Sequence, residues 1–191
     1  MKLHKRSGGF TLIEVLIVVS ILAILMSLII VGVQKARVNA LKSVAQSYVT
    51  NFTNALEQFR EDEGYYPGSN IKDPEENGFP LLFEALMGDP KESEKAGRSA
   101  PYLEVKLKDV AVYDEDTEEY RPADDDERWD SSIEKVILDP WGNPYWYREN
   151  KSKGRDWESK NRHKTDIWSV GPNRDNETLT DEDETDDIGN W

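Results

Sequence analysis

Between Phe10 and Val33 the chain runs for 24 residues with a single charged side chain, Glu14. That carboxylate constrains the fold more than any other feature. As a helix the run would measure about 36 Å, enough to cross a hydrocarbon layer of about 30 Å with some tilt. A charge inside such a segment costs roughly 2.5–3.5 kcal/mol on insertion scales, and residues of this kind ordinarily have a partner. A basic leader (Lys2, Lys5, Arg6) and Ser7-Gly8-Gly9 precede the run. A secretory signal peptide would have a shorter apolar core and a small-residue cleavage site after it; Gln34-Lys35-Ala36-Arg37 offers none. A plain one-pass anchor fits the length but leaves Glu14 and the Gly8-Gly9-Phe10 junction without a reason.

The helix does not end with the apolar run. Beyond Gln34, apolar residues recur at Leu41, Val44, Ala45, Tyr48, Phe52, Ala55, Leu56 and Phe59. Steps of three and four residues place them on one stripe of an amphipathic helix. Gly64 supplies a stop and Pro67 follows. The spacing therefore predicts one helix from Phe10 to about Glu63, about 80 Å long at 1.5 Å per residue. Its first half has no polar face and belongs in a membrane or a filament core; its second half buries a stripe against a globular head.

Gly9-Phe10-Thr11-Leu12-Ile13-Glu14 resembles the class III signal of type IV pilins and type II secretion pseudopilins. The resemblance implies cleavage by a prepilin peptidase between Gly9 and Phe10 and N-methylation of Phe10. It also implies that Glu14 pairs with the Phe10 amine of an adjacent subunit. Such pairing would satisfy a carboxylate that lipid cannot, and would help to set subunit register. Family members commonly carry a glycine and a proline within the apolar half. Here Ala23 and Val31 stand at those positions and no proline precedes Pro67, so a continuous helix is expected.

The rest of the chain is acidic. Residues 61–191 hold 17 Lys/Arg against 36 Asp/Glu, a net of −19, and removal of the +3 leader would take the whole chain from −14 to −17. Such a surface argues against nonspecific nucleic-acid binding, which needs basic patches. With no cysteine, the C-terminal segment must be secured by something other than a disulfide. Phe79 to Leu86 reads as a short helix with Pro80 in its first turn, and Pro101 to Tyr113 as a segment holding a short strand. Asp114 to Asp130, dense in acid, reads as a solvated loop. Ile133 to Leu138 leads into the turn Asp139-Pro140-Trp141-Gly142-Asn143-Pro144. Tyr145 to Arg148 and Thr165 to Val170 read as paired strands whose aromatics serve packing. The two histidines, His4 and His163, have no ligand spacing, and no nucleophile motif or phosphate-binding glycine loop occurs; no enzymatic activity is expected.

Asp139 to Tyr145, Asp166 to Asn173 and Asp186-Asp187-Ile188-Gly189-Asn190-Trp191 narrow the resemblance to the major pseudopilin of type II secretion systems. That family implies an α+β, type IV pilin-like fold: a long N-terminal helix packed on a small antiparallel head with a C-terminal loop. The implied organisation is a cleaved leader (1–9), a transmembrane or filament-core half-helix (10–33), an amphipathic half-helix (34–63) and a head (64–191) with an insertion at about 92–134. It also implies a structural calcium site built from the Val170 carbonyl, Asn173, a carbonyl near Asp175, and Asp186, with Asp187 as a neighbouring candidate or a cap. Calcium favours six to eight oxygen ligands. Asn173 stands where the family usually has aspartate, and the loop to Asp186 is longer and holds further carboxylates. Implied partners are further copies of the chain, minor pseudopilins, the prepilin peptidase, the inner-membrane assembly platform, the secretion ATPase and the inner membrane, with no nucleic acid. The implied location is the bacterial inner membrane, single-pass, with the head in the periplasm. A type IV pilin for adhesion, motility or DNA uptake, and a membrane-anchored binding or enzymatic domain, remain as alternative readings of the same leader.

Overall fold

A computed structural model describes residues 11–68, 73, 76–87, 102–103, 105–130, 132–150, 160–161, 165–176, 178 and 186–191. The chain forms two compact units, one through Leu41 and one from Lys42. Helix α1 (Leu12–Glu63) runs through both without a break in its assignment, as the absence of an internal proline predicts. It starts two residues later than the apolar run because Thr11 caps it, and Phe10 lies outside the described residues. In the first unit every described side chain from Leu12 to Ala40 is exposed. The hydroxyls of Ser20 and Ser27 donate to the carbonyls of Leu16 and Ile24, both at 2.7 Å, so the helix absorbs its own polar groups. It is the one described helix long and apolar enough to cross a membrane.

In the second unit α1 buries Ala45, Val49, Phe52, Ala55, Leu56 and Phe59. The predicted stripe is thus right with one correction: Val44 is 45 % exposed and Val49, which the sequence reading omitted, is buried. Stepping 45, 49, 52, 56, 59 keeps closer to 3.6 residues per turn than a stripe that also includes 44. Gly64, at φ 81°, ends the helix in the left-handed region, and its N–H donates to the Arg60 carbonyl at 2.9 Å.

Helix α2 (Phe79–Met87) buries Phe79, Leu82, Phe83 and Leu86. Asn77 fixes where it begins. Its Oδ1 accepts from the N–H groups of Phe79 (3.0 Å) and Tyr147 (3.2 Å), while its Nδ2 donates to the Tyr145 carbonyl at 2.8 Å. One side chain therefore both caps α2 and ties it to a strand.

Two three-stranded antiparallel sheets follow. The first, in the order β2-β1-β3, comprises β1 (Val110–Asp114), β2 (Glu119–Pro122) and β3 (Lys135–Ile137). The second, in the order β4-β5-β6, comprises β4 (Trp146–Glu149), β5 (Thr165–Ser169) and β6 (Ile188–Gly189). A 52-residue helix followed by small antiparallel sheets is the α+β, type IV pilin-like arrangement.

The first sheet corrects the reading of residues 114–130 as a solvated loop. Asp114 and Glu119 close a hairpin in which Tyr113 faces Tyr120, with ring centroids 5.3 Å apart. The intervening acids form its turn: Asp114 Oδ1 accepts from the N–H groups of Asp116 (3.0 Å) and Thr117 (3.4 Å). Arg121 then holds Glu127 through two bonds of 2.6 and 2.8 Å and Asp114 at 3.3 Å. Its guanidinium draws the Glu127 carboxyl down to about 2. The Lys135 ammonium, 4 % exposed, donates to the carbonyls of Asp130 and Ile133. Carboxylates that look solvated by composition are hairpin formers and ion-pair partners here.

The two sheets meet α1 and α2 around Tyr145. Its ring lies 5.1 Å from Phe52, 6.0 Å from Tyr48 and 6.1 Å from Phe79. Burial pushes its phenol pKa well up. The hydroxyl is buried and makes no hydrogen bond among the described residues. A buried polar group without a partner costs about 1–3 kcal/mol. Tyr145→Phe, which keeps the ring, should therefore leave the fold as stable as before or raise stability by up to about 2 kcal/mol; chemical denaturation of the purified protein checks this, and a loss above 1 kcal/mol, about the worth of one hydrogen bond, would show that the hydroxyl is paired.

Candidate functional site

The sequence reading places function at the two ends of the chain. At the N-terminal end, Gly9 and Phe10, the predicted cleavage and methylation residues, lie outside the described residues. Thr11 and Glu14 lie within them and form a reciprocal cap. The N–H and the hydroxyl of Thr11 both donate to Glu14 Oε2 at 2.8 Å, and the Glu14 N–H donates to Thr11 Oγ1 at 3.3 Å. This is the capping box of a Thr-x-x-Glu segment, which satisfies two of the donors that every helix start leaves open. Glu14 also adds an acidic group to the positive end of the helix dipole.

Thr11 is a capping residue that the sequence reading missed, although Thr-x-x-Glu before an apolar run is its legible signal. Its two bonds converge on Oε2, and Oε1 accepts nothing from the described residues. The carboxylate is thus held at one oxygen and presented at the other.

At the C-terminal end, β5 and β6 bring the predicted calcium residues onto neighbouring segments. Ser169 pairs with Ile188, so the turn Gly171–Asn173 runs beside Asp186 and Asp187. Gly171 has φ 73°, and a Cβ built there would stand 2.7 Å from the Asp186 carbonyl oxygen and 3.1 Å from its Oδ2. The turn therefore needs glycine twice over, for its backbone angle and for its neighbour. Asn173 Oδ1 accepts from the Asp175 N–H at 2.9 Å, and Asp175 is exposed. Asp187 Oδ2 accepts from the Thr178 N–H at 2.7 Å and from the Thr178 hydroxyl, so these bonds run back to the loop and not to the final turn, where β6 follows it directly. Among the described residues no group of three or more His, Cys, Asp or Glu converges on one point. What the loop does bring together is the Gly171 backbone and Asp186, with Val170 and Asn173 close to Gly171 in sequence as further oxygen donors. That chemistry suits calcium. The further loop acids, Glu177 and Asp181 to Glu184, lie outside the described residues.

Two anchors, neither of them picked out as such from the sequence, hold this loop. Asp139, 5 % exposed, accepts at Oδ1 from the N–H groups of Trp141 and Asn143, both at 2.9 Å, and at Oδ2 from the Ser169 hydroxyl at 2.6 Å. Ser169 Oγ in turn accepts from the Gly171 N–H at 3.2 Å, and Asn143 Nδ2 donates to the Gly171 carbonyl at 3.3 Å. The Asp139–Asn143 turn is thereby tied to the start of the loop. Asn190 ties its end: its Oδ1 accepts from the Ile167 N–H at 3.2 Å and its Nδ2 donates to the Thr165 carbonyl at 2.9 Å. Trp191 closes over Gly189 and Trp168. Gly171→Ala should destabilise the head by at least about 2 kcal/mol, since a left-handed non-glycine residue costs roughly 1–2 kcal/mol before the clash with Asp186 is added; thermal or urea unfolding measures it, and an unchanged midpoint would mean that the turn has another conformation.

Comparison with known proteins bears on the N-terminal motif and on the chain as a whole. Residues 4–30 match the model of the prokaryotic N-terminal methylation motif. The chain is 30 % identical over 187 residues to the type II secretion system core protein G of Aeromonas hydrophila, covering 98 % of this chain and 94 % of that protein. It is 26 % identical over 190 residues to the protein of the same name from Pseudomonas aeruginosa, covering 98 % and 97 %. The Escherichia coli protein of that name is 26 % identical over 191 residues, 100 % of this chain and 95 % of its own. With a methylation motif at its start and whole-length similarity beyond it, the chain belongs to the family of the type II secretion system core protein G, the pseudopilins.

Proposed function

We propose that this pseudopilin is a structural subunit that polymerises through α1 into a periplasmic pseudopilus and so drives protein export across the outer membrane. The family is not enzymatic, and its members serve as parts of a secretion system. The observation that carries the reading is the pair of features at the start of α1. An apolar half-helix lies uncovered by its own chain, and one carboxylate within it is held at Oε2 with Oε1 presented. In this reading a prepilin peptidase cuts between Gly9 and Phe10, and Phe10 is N-methylated. The resulting amine of one subunit meets Glu14 of the next. The leader (1–9) is lost, residues 10–33 occupy the inner membrane or the filament core, and the acidic head (64–191) faces the periplasm. Minor pseudopilins, the assembly platform and the secretion ATPase are the partners of that cycle.

Mass spectrometry of the protein from its native membrane should give a chain beginning at methylated Phe10; an intact leader would overturn the reading. Glu14→Ala should leave the subunit membrane-inserted and reduce filament yield at least tenfold, equivalent to about 1.4 kcal/mol.

We further propose that calcium clips the C-terminal loop, held by the Val170 carbonyl, Asn173, a carbonyl near Asp175, and Asp186, with Asp187 capping Thr178 alongside. Support comes from the close approach of the Gly171 turn to Asp186 and from the hard oxygen character of the donors. When bound, the ion would supply a structural crosslink in a chain that has no cysteine. A ligand at a hundredfold excess over Kd stabilises a fold by about 2.7 kcal/mol. Melting of the detergent-solubilised chain in calcium and in chelator should therefore differ by several degrees; equal midpoints would rule the clip out.

A further inference from the structure

A groove of about 320 Å³ opens on the head where the acidic insertion meets α1. Its apolar lining comes from Val44 and Tyr48 of α1, Ala111 and Pro122 of the β1–β2 hairpin, and Leu138 beside the Asp139 turn, and its charged lining is Lys108, Asp109 and Asp139. The lining is mostly apolar. The Tyr48 hydroxyl donates to Asp109 Oδ2 at 2.9 Å, so these two polar groups already satisfy each other. Val44 is 45 % exposed although it lies in the half of α1 that packs on the head. Ala111 pairs with Pro122, and two residues further along the same strands Tyr113 pairs with Tyr120. Residues two apart on paired strands share a face, so the apolar surface extends from the groove onto the tyrosine pair, where Tyr113 is 50 % exposed.

Charge selects among occupants. Residues 105–141, which carry most of the groove, hold 5 Lys/Arg against 13 Asp/Glu, a net of −8. Within the same chain, α1 between Val15 and Leu56 holds Lys35, Arg37 and Lys42 and no acid. Among those cations stand two uncovered valines, Val33 at 61 % and Val38 at 38 % exposure. An apolar groove with Lys108 on its wall, set in a segment of strong net negative charge, and a basic, apolar helix segment on the same sequence are complementary between copies.

We propose that the groove receives a second copy of this chain, through the α1 segment from Val33 to Lys42. Val38 enters the apolar lining, and Lys35, Arg37 and Lys42 face the acids of the insertion. The inference rests on the polymer reading above and deepens it: the insertion becomes a subunit-contact device rather than a surface ornament.

The absence of cysteine makes the test direct. Full-length V38C and P122C chains are co-expressed in the native membrane with the secretion machinery and oxidised mildly. A separate L16C chain reports contact between apolar half-helices. The expected result is a V38C–P122C mixed dimer at least tenfold above what either variant gives alone. It should fall severalfold when Lys35→Glu and Arg37→Glu are added to the V38C chain, while the L16C dimer is unaffected by the same two changes. If L16C chains cross-link and the V38C–P122C pair does not, the groove inference is overturned and polymerisation stands. If neither pair cross-links, the polymer reading fails and this inference falls with it. A mixed dimer indifferent to the charge reversals would overturn the electrostatic selection.

Discussion

The first half of α1 has no core of its own. From Leu12 to Val33 the described side chains are exposed, with Leu12 at 84 % and most of the large apolar residues above 50 %. Burying one such side chain is worth about 1.5–3 kcal/mol, so a run of this length in water would carry a penalty of tens of kcal/mol. Only lipid or other apolar helices can cover it. Everything else in the chain follows from that demand. The second half of the helix must carry the head, and the polar groups left in the first half must be absorbed locally. Ser20 and Ser27 bond back onto the helix, and Thr11 folds its hydroxyl and N–H onto Glu14. A carboxylate capped in this way is less costly to hold in lipid than a bare one.

The head solves a different problem: a long C-terminal segment with no disulfide. Two side-chain amides and one buried carboxylate take that role. Asn190 imitates a further strand residue by bonding both a donor and an acceptor of β5. Asp139 gathers the turn before β4 and the hydroxyl of Ser169 into one network. Gly171, in the left-handed region, lets the chain approach Asp186 closely enough to close the loop. Each bond is worth about 1 kcal/mol alone, and together they hold a segment that composition alone would assign to an acidic tail.

Periodicity made the second half of α1 and α2 legible in the sequence, because each buries one face and the burial imposes its own spacing; the strands around Trp146 and Trp168, buried on both faces in β5, were legible from their aromatic and β-branched residues instead. The fine phase was not legible: whether Val44 or Val49 points inward depends on a half-step that the head decides. The β1–β2 hairpin was hidden for another reason. Its acids suggest solvation, yet Asp114 builds the turn and Glu127 meets an arginine six residues before it in the chain. Local composition cannot report a partner brought in by folding. The cap on Glu14 shows the reverse case. Thr-x-x-Glu is a plain signal, but an apolar run that begins at Phe10 draws the helix start two residues too early and conceals it.

These features converge on how a helix without a polar face can assemble in register. Between apolar helices in lipid the hydrophobic effect supplies no net attraction, since lipid tails are as apolar as the side chains. Shape and a few polar marks must decide the alignment. The chain carries such marks at two levels. Glu14, pinned by Thr11 with one oxygen presented, is a fixed acceptor near the start of α1. Lys35, Arg37 and Lys42 form a basic stretch on a helix that has no acid between Val15 and Leu56, while the head is acidic. In the proposed filament a slip of one helical turn would move each mark by about 5.4 Å and so part the proposed amine–carboxylate pair and the proposed cation–acid contact at the same time. In the proposed filament, two electrostatic marks on one helix would penalise a slip more than either alone, and the apolar surface between them would then be free to be uniform.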